Sequence, residues 1–546
     1  MMKVGILISD LETMPHWKLR VMDLLLNHDQ VALVVLTKPI SPSVLQGARF
    51  NGVLGTPASR LLFTLQQGLE RKLFPFAPTL DRAQCLQRLQ QAEQLFLSPY
   101  EQGGNPVFSE EDEAQLASAG IGLIFQTDFN GFPGTVPKSV AHGIWSLGSQ
   151  DQTLGPNTSY GFREVAMRKD GVAVNLYASR HALGEQILLD SAFFNISWSY
   201  ARTKKMVEES SVSLIVKHIN GLLNGRSVHS SALAVPVDGP LEKGGLGTVL
   251  PYCTRFSATF LEKSFQKIKH RLLGTRYECW TLFLGSGSFL DADIARIAPV
   301  PLPKNEFWAD PFLVEHEEGD HIFFESFEYD RNLGKICCAP LLGNEVGPVQ
   351  DVLVTDYHLS YPFVFKHKGQ WYMMPESSEN ERLQIYRCIK FPLQWELHAT
   401  AFEGERVADA TFYTDMDGVQ WLFVNKSDEP SVSFANELHI YRVDDFDTMQ
   451  LTPHQQNPVL MDTRAARGAG ALFEENGMVY RPSQHTVQGI YGKALNINRI
   501  HHLSLEAYKE ETVKTVHPDF RDDLMALHHL HQTKKRFVFD ACYAAH

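Results

Sequence analysis

Asp310-Pro311-Phe312-Leu313-Val314-Glu315 is the first of four short segments that share one layout. In each, one residue stands at the mouth of an apolar strand, and a glycine turn and a second apolar strand follow. The other three segments are Tyr361-Pro362-Phe363-Val364-Phe365-Lys366, Asp409-Ala410-Thr411-Phe412-Tyr413-Thr414 and Ala469-Gly470-Ala471-Leu472-Phe473-Glu474. Because they recur with a period of about fifty residues, the pattern predicts the blades of a β-propeller.

Four units are visible in this way, and a fifth can be built from the two ends of the region. The run Glu278-Cys279-Trp280-Thr281-Leu282-Phe283-Leu284 precedes the first unit, and further strands follow residue 524. Pairing these ends in one blade closes the ring and removes sheet edges that would otherwise invite aggregation. We therefore predict an all-β, five-bladed propeller over residues 276–546.

The residues that open the first strands should face one shared pocket, because the first strand of each blade lines the central channel of a propeller. Carboxylates bind sugar hydroxyls, and two of them can act as acid and base or as acid and nucleophile. The predicted catalytic residues are Asp310, Glu376 and Asp409. The predicted substrate-binding residues are Trp308, Glu325, Tyr361, Arg481, Gln484 and His528.

Four motifs of this region resemble one known family. They are Trp308-Ala309-Asp310-Pro311-Phe312, His358-Leu359-Ser360-Tyr361-Pro362-Phe363, Met374-Pro375-Glu376-Ser377 and Arg481-Pro482-Ser483-Gln484. They look like the propeller domain at the front of plant glucosamine inositolphosphorylceramide transferases, which also occurs in bacterial fusions with a formyltransferase-like domain. That propeller is similar to those of furanose-cleaving glycosidases such as arabinanases and fructosidases.

The resemblance to the glycosidases implies a role for each acid. Asp310 would be the base or nucleophile, Asp409 would tune a pKa, and Glu376 would be the acid. Tyr361 stands where fructosidases carry an Asp in the second blade, which argues against simple hydrolysis.

Residues 1–225 alternate short apolar strands with helical patterns, which predicts an α/β domain with a parallel sheet covered on both faces. This layout resembles the Rossmann-type formyltransferase domain of methionyl-tRNA formyltransferase and of enzymes that formylate amino sugars. At the positions of that family's Asn, His and Asp stand Ser146, Gly148 and Ala182. General acid–base chemistry needs a titratable group in reach, so we expect the fold to serve as a scaffold or binding domain.

Residues 226–275 are predicted to link the two domains. Ser, Pro and Gly are frequent in 227–247, and a basic amphipathic helix follows over residues 260–273. Leu261, Phe265 and Ile268 have helical spacing, with lysines at other positions. Such a helix either docks one domain on the other or makes peripheral contact with an anionic membrane.

Composition excludes several classes of function. The net charge is −13 and no long block of Lys and Arg occurs, so nucleic acid is not an expected partner. The resemblance implies a cytoplasmic protein. The N-terminus lacks the layout of a signal peptide, and no apolar run is long enough to span a bilayer. The seven cysteines show no C-x-x-C spacing, which indicates free thiols and no zinc site.

We expect no metal and no resident cofactor, although a nucleotide sugar could serve as a donor. In His528-His529-Leu530-His531, strand alternation would put His529 on the face opposite His528 and leave Asp540 as the nearby acid. The oligomeric state is not predicted.

Three functions are consistent with these features. The first is a carbohydrate-active enzyme that transfers or cleaves a glycosyl unit in surface polysaccharide or glycolipid metabolism. The second is a non-catalytic glycan-binding scaffold. The third is a formyl or acyl transferase that acts on an amino sugar through the N-terminal domain.

Overall fold

The computed structural model describes residues 1–37, 56–76, 79–102, 105–127, 129, 134–148, 160–180, 186–226, 245–273 and 278–544. Ala182 and most of the serine-, proline- and glycine-rich linker lie outside these residues. The chain forms two compact units, Met1–Leu261 and Glu262–His546.

The first unit is built on a seven-stranded sheet. The seven strands are β1 (Met2–Ile8), β2 (Val31–Thr37), β3 (Glu93–Phe96), β6 (Ile121–Gln126), β7 (Ile144–Gly148), β8 (Gly171–Ser179) and β9 (Gln186–Asn195). Strands β4 (Tyr100–Gln102) and β5 (Asn105–Val107) pair with each other in a separate hairpin. The sheet order is β3-β2-β1-β6-β7-β8-β9. In this sheet β3, β2, β1, β6 and β7 run parallel to one another. Strand β8 is antiparallel to β7, and β9 is antiparallel to β8.

Two features of the sequence explain this sheet. Val4 and Ile6 of β1 and Leu36 of β2 are fully buried, as expected for parallel strands covered on both faces. Residues 180–185 separate β8 from β9, too few for the crossover that a parallel pair requires. This edge of the sheet is therefore a hairpin.

Several of the described helices begin at a side-chain cap. The helices are α1 (His16–Leu26), α2 (Pro57–Leu73), α3 (Arg82–Gln91), α4 (Glu110–Ala119), α5 (Phe162–Met167), α6 (Tyr200–Leu223) and α7 (Leu246–Leu273). Thr56 and Ser109 form capping boxes at the starts of α2 and α4. The first half of α7 belongs to the first unit, because Tyr252 is buried and its hydroxyl donates to Glu70 Oε1 at 2.5 Å. The first unit thus extends past residue 225.

The second unit consists of five sheets, and it confirms the five-bladed propeller. Blade 1 contains β11 (Glu306–Val314), β12 (His321–Glu328), β13 (Leu333–Leu342), β14 (Glu345–Val346) and β15 (Gln350–Leu353). Blade 2 contains β16 (Ser360–His367), β17 (Gln370–Glu376), β18 (Leu383–Lys390) and β19 (Gln394–Ala401). Blade 3 contains β20 (Val407–Thr414), β21 (Gln420–Lys426), β22 (Leu438–Asp445) and β23 (Gln450–Pro453). Blade 4 contains β24 (Phe473–Glu475), β25 (Met478–Val487), β26 (Ile490–Leu503) and β27 (Tyr508–Val516).

Blade 5 joins the two ends of the propeller. It contains β10 (Glu278–Ser286), β28 (Leu524–Ala526), β29 (Leu530–Gln532) and β30 (Arg536–Ala544). Strand β10 pairs with β30 from Glu278↔Ala544 to Ser286↔Arg536, and the rings of Phe283 and Phe539 stack with centroids 4.9 Å apart. The blade is therefore held by strand hydrogen bonds and by aromatic packing.

Candidate active site

The same backbone irregularity opens the first strand of blades 1, 2 and 3. Asp310, Tyr361 and Asp409 have φ of 51°, 47° and 50°, in the left-handed region that non-glycine residues rarely adopt. Each lies at a shift in strand register, between residues 309 and 312, 360 and 363, or 408 and 411. A bulge of this kind changes the direction of a side chain and is frequent beside active sites. These three residues are therefore structurally equivalent.

The residues paired just before these bulges are also equivalent. Ala309 pairs with Glu325, Ser360 with Glu376, and Ala408 with Asn425. Glu325 and Glu376 thus hold matching places in neighbouring blades. The third place is taken by Asn425, which is fully buried and donates to the carbonyls of Glu437 and Ala466.

Asp310 is held between two histidines. His528 Nε2 lies 3.4 Å and His529 Nδ1 3.5 Å from Asp310 Oδ1. Burial alone would raise the pKa of Asp310, but the charge of His528 and the contact with His529 outweigh burial and lower that pKa. Asp310 is therefore an ionised, oriented carboxylate.

Asp540 ties this arrangement together from blade 5. Its Oδ2 accepts from the Asp310 amide at 2.9 Å, and its Oδ1 accepts from His528 Nδ1 at 2.9 Å. Burial would lower the pKa of His528, but Asp540 and Asp310 overcome it and raise that pKa. Asp540 therefore orients the imidazole towards Asp310.

The expected separation of His528 from His529 is wrong. Residues 527–529 lie between β28 and β29 and do not follow strand alternation, so both rings reach Asp310. In the described part of the propeller, Asp310, His528 and Asp540 bring potential metal-ligand atoms within 4.8 Å of one another. His528 bridges the two carboxylates, 2.9 Å from Asp540 and 3.4 Å from Asp310.

Glu376 and Asp409 share a cation that the sequence reading missed, Arg467. Arg467 Nε donates to Asp409 Oδ2 at 2.5 Å, and its Nη2 lies 3.5 Å from Glu376 Oε2. Burial raises the pKa of Glu376 well above its usual range, Asp409 adds to this shift, and Arg467 offsets part of it. Glu376 therefore holds a proton beside the Asp409–Arg467 ion pair.

Glu325 is a second protonated acid. Burial raises its pKa well above the usual range, and neighbouring carboxylates, first Asp310, add to the shift. His358 Nε2 lies 3.4 Å from Glu325 Oε1, but burial lowers the pKa of that histidine. Among the described residues, neither a lysine nor an arginine pairs with Glu325.

Two tyrosines frame the cluster. The Tyr361 hydroxyl accepts from the Gly470 amide at 2.9 Å, and its fully buried ring packs against Phe312 and His529. Such a ring supports the site and has no exposed face for a sugar. Tyr491, also missed from the sequence, lies with its ring 4.9 Å from the Arg467 guanidinium and accepts from Gln484 at 3.1 Å.

Two of the predicted substrate-binding residues lie elsewhere. Arg481 makes a two-point contact with Glu510, at 2.8 and 2.6 Å, and is 1% exposed. Trp308 packs against Phe324 and lines a separate cavity of about 470 Å³. Side-chain direction at these positions depends on the neighbouring strands, which the motif does not reveal.

The formyltransferase-like positions in the first unit carry no acid or base. Ser146 and Gly148 are both buried in β7. A serine hydroxyl and a glycine cannot replace an imidazole as general base.

Comparison with known proteins concerns the propeller. Residues 294–527 match the family "Glucosamine inositolphosphorylceramide transferase 1, N-terminal". The chain is 34% identical over 220 residues to glucosamine inositolphosphorylceramide transferase 1 of Oryza sativa subsp. japonica, and 34% identical over 217 residues to that of Arabidopsis thaliana. In each case the match covers 39% of this chain and 28% of the relative, so the chain spans less than a third of their length.

The similarity of this chain to solved structures is weaker than its similarity to these relatives. An exo-β-1,3-galactanase from Clostridium thermocellum is 11% identical with a TM-score of 0.31, over 42% of this chain and 53% of that one. An endo-arabinase from Bacteroides thetaiotaomicron is 14% identical with a TM-score of 0.31, over 39% of this chain and 84% of that one.

Proposed function

We propose that the propeller binds a glycosyl unit at this acidic cluster and transfers or cleaves it. The observation that carries the proposal is that carboxyl groups of neighbouring blades meet in one cluster, whose surroundings shift the pKa values of Glu376 and Asp310 in opposite directions. Glu376 is held protonated and Asp310 ionised. Titratable groups whose surroundings push their pKa values apart are the usual signature of an acid and a base.

The proposed reaction uses these groups directly. Glu376 gives its proton to the leaving oxygen as the glycosidic carbon–oxygen bond breaks. Asp310 takes the proton of the incoming hydroxyl, whose oxygen forms the new bond to the anomeric carbon. Water as the acceptor gives cleavage, and a sugar or lipid hydroxyl gives transfer. Asp409, paired with Arg467, keeps the proton on Glu376 by like-charge repulsion.

The charge at the cluster favours a sugar that carries an amine. Glu325 stays protonated because it is buried and carboxylates surround it, which together raise its pKa. A protonated amine would supply the missing cation, in keeping with the glucosamine in the relatives' name. The same charge disfavours a diphosphate, so we propose that the bound unit is a glycoside and not a nucleotide sugar.

Binding of free sugars tests this substrate class. We expect the full chain to bind glucosamine, whereas N-acetylglucosamine and glucose, which lack the cation, bind at least about tenfold more weakly, a difference of about 1.4 kcal/mol. Binding should release a proton as Glu325 ionises. Isothermal titration in buffers of different ionisation enthalpy measures both quantities.

A matched variant gives the control for that measurement. Glu325→Gln should remove both the preference for glucosamine and the proton release. Glu405→Gln, at an exposed ion pair with Lys426 of blade 3, should change neither. Equal binding of all three sugars by the unaltered chain would refute the amino-sugar proposal.

We also propose that the first unit is a formyltransferase-like domain that does not transfer formyl groups. The parallel sheet and the residues Ser146 and Gly148 support this. We expect no rise in melting temperature with formyl-tetrahydrofolate, whereas a ligand at a hundred times its Kd would add about 2.7 kcal/mol. A saturable rise in a thermal-shift titration would contradict the proposal.

A further inference from the structure

The second half of α7 exposes an apolar stripe. Leu261, Phe265 and Ile268 are 66%, 67% and 56% exposed. Residues three and four apart lie on one face of a helix. The first half of the same helix buries Val249 and Phe256. Contiguous exposed apolar surface of this kind marks an interaction site.

The same segment is locally basic in an acidic protein. Between residues 261 and 269, Lys263, Lys267 and Lys269 are exposed beside one acid, Glu262. The whole chain carries a net charge of −13. Positive charge is therefore concentrated where the apolar side chains are exposed.

We propose that residues 261–269 lie on the surface of an anionic lipid bilayer. The three apolar side chains would enter the boundary between headgroups and acyl chains, and the lysines would meet lipid phosphates. Across the described residues, no helix has the length and apolarity needed to span a bilayer, so the contact is at its surface. This inference does not depend on the proposed sugar chemistry.

Charge favours an anionic bilayer over a second copy of the chain as the partner of this helix face. A two-fold symmetric interface brings the same surface of each copy together. Such pairing would cover the apolar side chains, but Lys263 and Lys267 lie on the opposite face of the helix and would gain no anionic partner. Anionic phosphates give those lysines the complementary charge.

Sedimentation of the full chain with vesicles tests the proposal. At low ionic strength we expect binding to phosphatidylcholine–phosphatidylserine vesicles at about 7:3, weak binding to phosphatidylcholine alone, and release by salt. The triple variant Lys263→Gln, Lys267→Gln, Lys269→Gln should bind about a hundredfold more weakly, since each lysine contributes about fivefold. The triple variant Leu261→Ser, Phe265→Ser, Ile268→Ser should lose binding.

The chain offers a matched control on another helix. Leu61, Leu65 and Leu69 of α2 are 64%, 63% and 47% exposed. Changing all three to Ser should leave vesicle binding intact, and circular dichroism should show each variant folded. Absence of binding by the unaltered chain, or equal binding by the α7 serine variant, would overturn the proposal. The proposal would also be overturned if the unaltered chain sediments as a dimer, the α7 serine variant sediments as a monomer, and vesicles change neither result.

Discussion

Asp310→Asn should lower turnover of a glucosaminide by about a thousandfold, within the range usual for loss of a general base. The variant keeps the shape of the side chain but cannot accept a proton. The effect should be the same for 4-nitrophenyl and methyl glucosaminides, because the base acts on the incoming hydroxyl. Sugar binding should persist. Turnover and binding are measured on the full chain.

Glu376→Gln should lower turnover of one of these two substrates much more than turnover of the other. 4-Nitrophenolate leaves without a proton, whereas methoxide needs one, so turnover of the methyl glycoside should fall by about 10²–10⁴-fold and that of the nitrophenyl glycoside much less. Equal losses on both substrates would remove Glu376 from the role of acid. If the unaltered chain binds sugar but turns over neither glucosaminide, the propeller is a glycan-binding scaffold.

Stability gives a second readout for Glu376. Its raised pKa means that the folded state keeps a proton that the unfolded chain releases above its own pKa. Stability is therefore lost as the pH rises through that interval. Glu376→Gln has no proton to release, so its melting temperature should exceed that of the unaltered chain at neutral pH and match it in acid.

Arg481→Met should lower the free energy of unfolding of the propeller by about 3–5 kcal/mol, because it leaves Glu510 buried without its cation. Both partners are nearly inaccessible, and Arg481 also donates to the Ala465 carbonyl at 2.6 Å. Chemical denaturation measures the change. Binding of glucosamine to the folded variant should be unaltered, since Arg481 lies apart from the acidic cluster.

Two further variants test this explanation. Arg481→Met combined with Glu510→Leu should recover much of the lost stability, because an apolar pair replaces the ion pair without a stranded charge. Arg387→Met breaks an ion pair with Glu396 that is 44% and 49% exposed, and it should change stability little. If Arg481→Met is as mild as Arg387→Met, or weakens sugar binding while the protein stays stable, Arg481 belongs to the site.

The architecture of the propeller was predictable because its information is local and repeated. Hydrophobic alternation and glycine turns within each unit predict hairpins, and the period near fifty predicts blades. Pairing of residues 278–284 with the last strand followed from the need to remove open edges, and β10 and β30 meet as expected. Asp310, Tyr361 and Asp409 were found together because equivalent repeats place equivalent residues at the axis.

The partners of those residues could not be predicted in the same way, because closure of the ring brings them together. Arg467 precedes the fourth segment, yet it pairs with Asp409, 58 positions earlier. Asp540 reaches the Asp310 amide, 230 positions away. No local period relates such positions, and a motif does not show on which face of its strand a side chain lies. Repeated local chemistry therefore determines the blades and the residues at their mouths, whereas long-range packing decides which charges meet and which carboxyl keeps its proton.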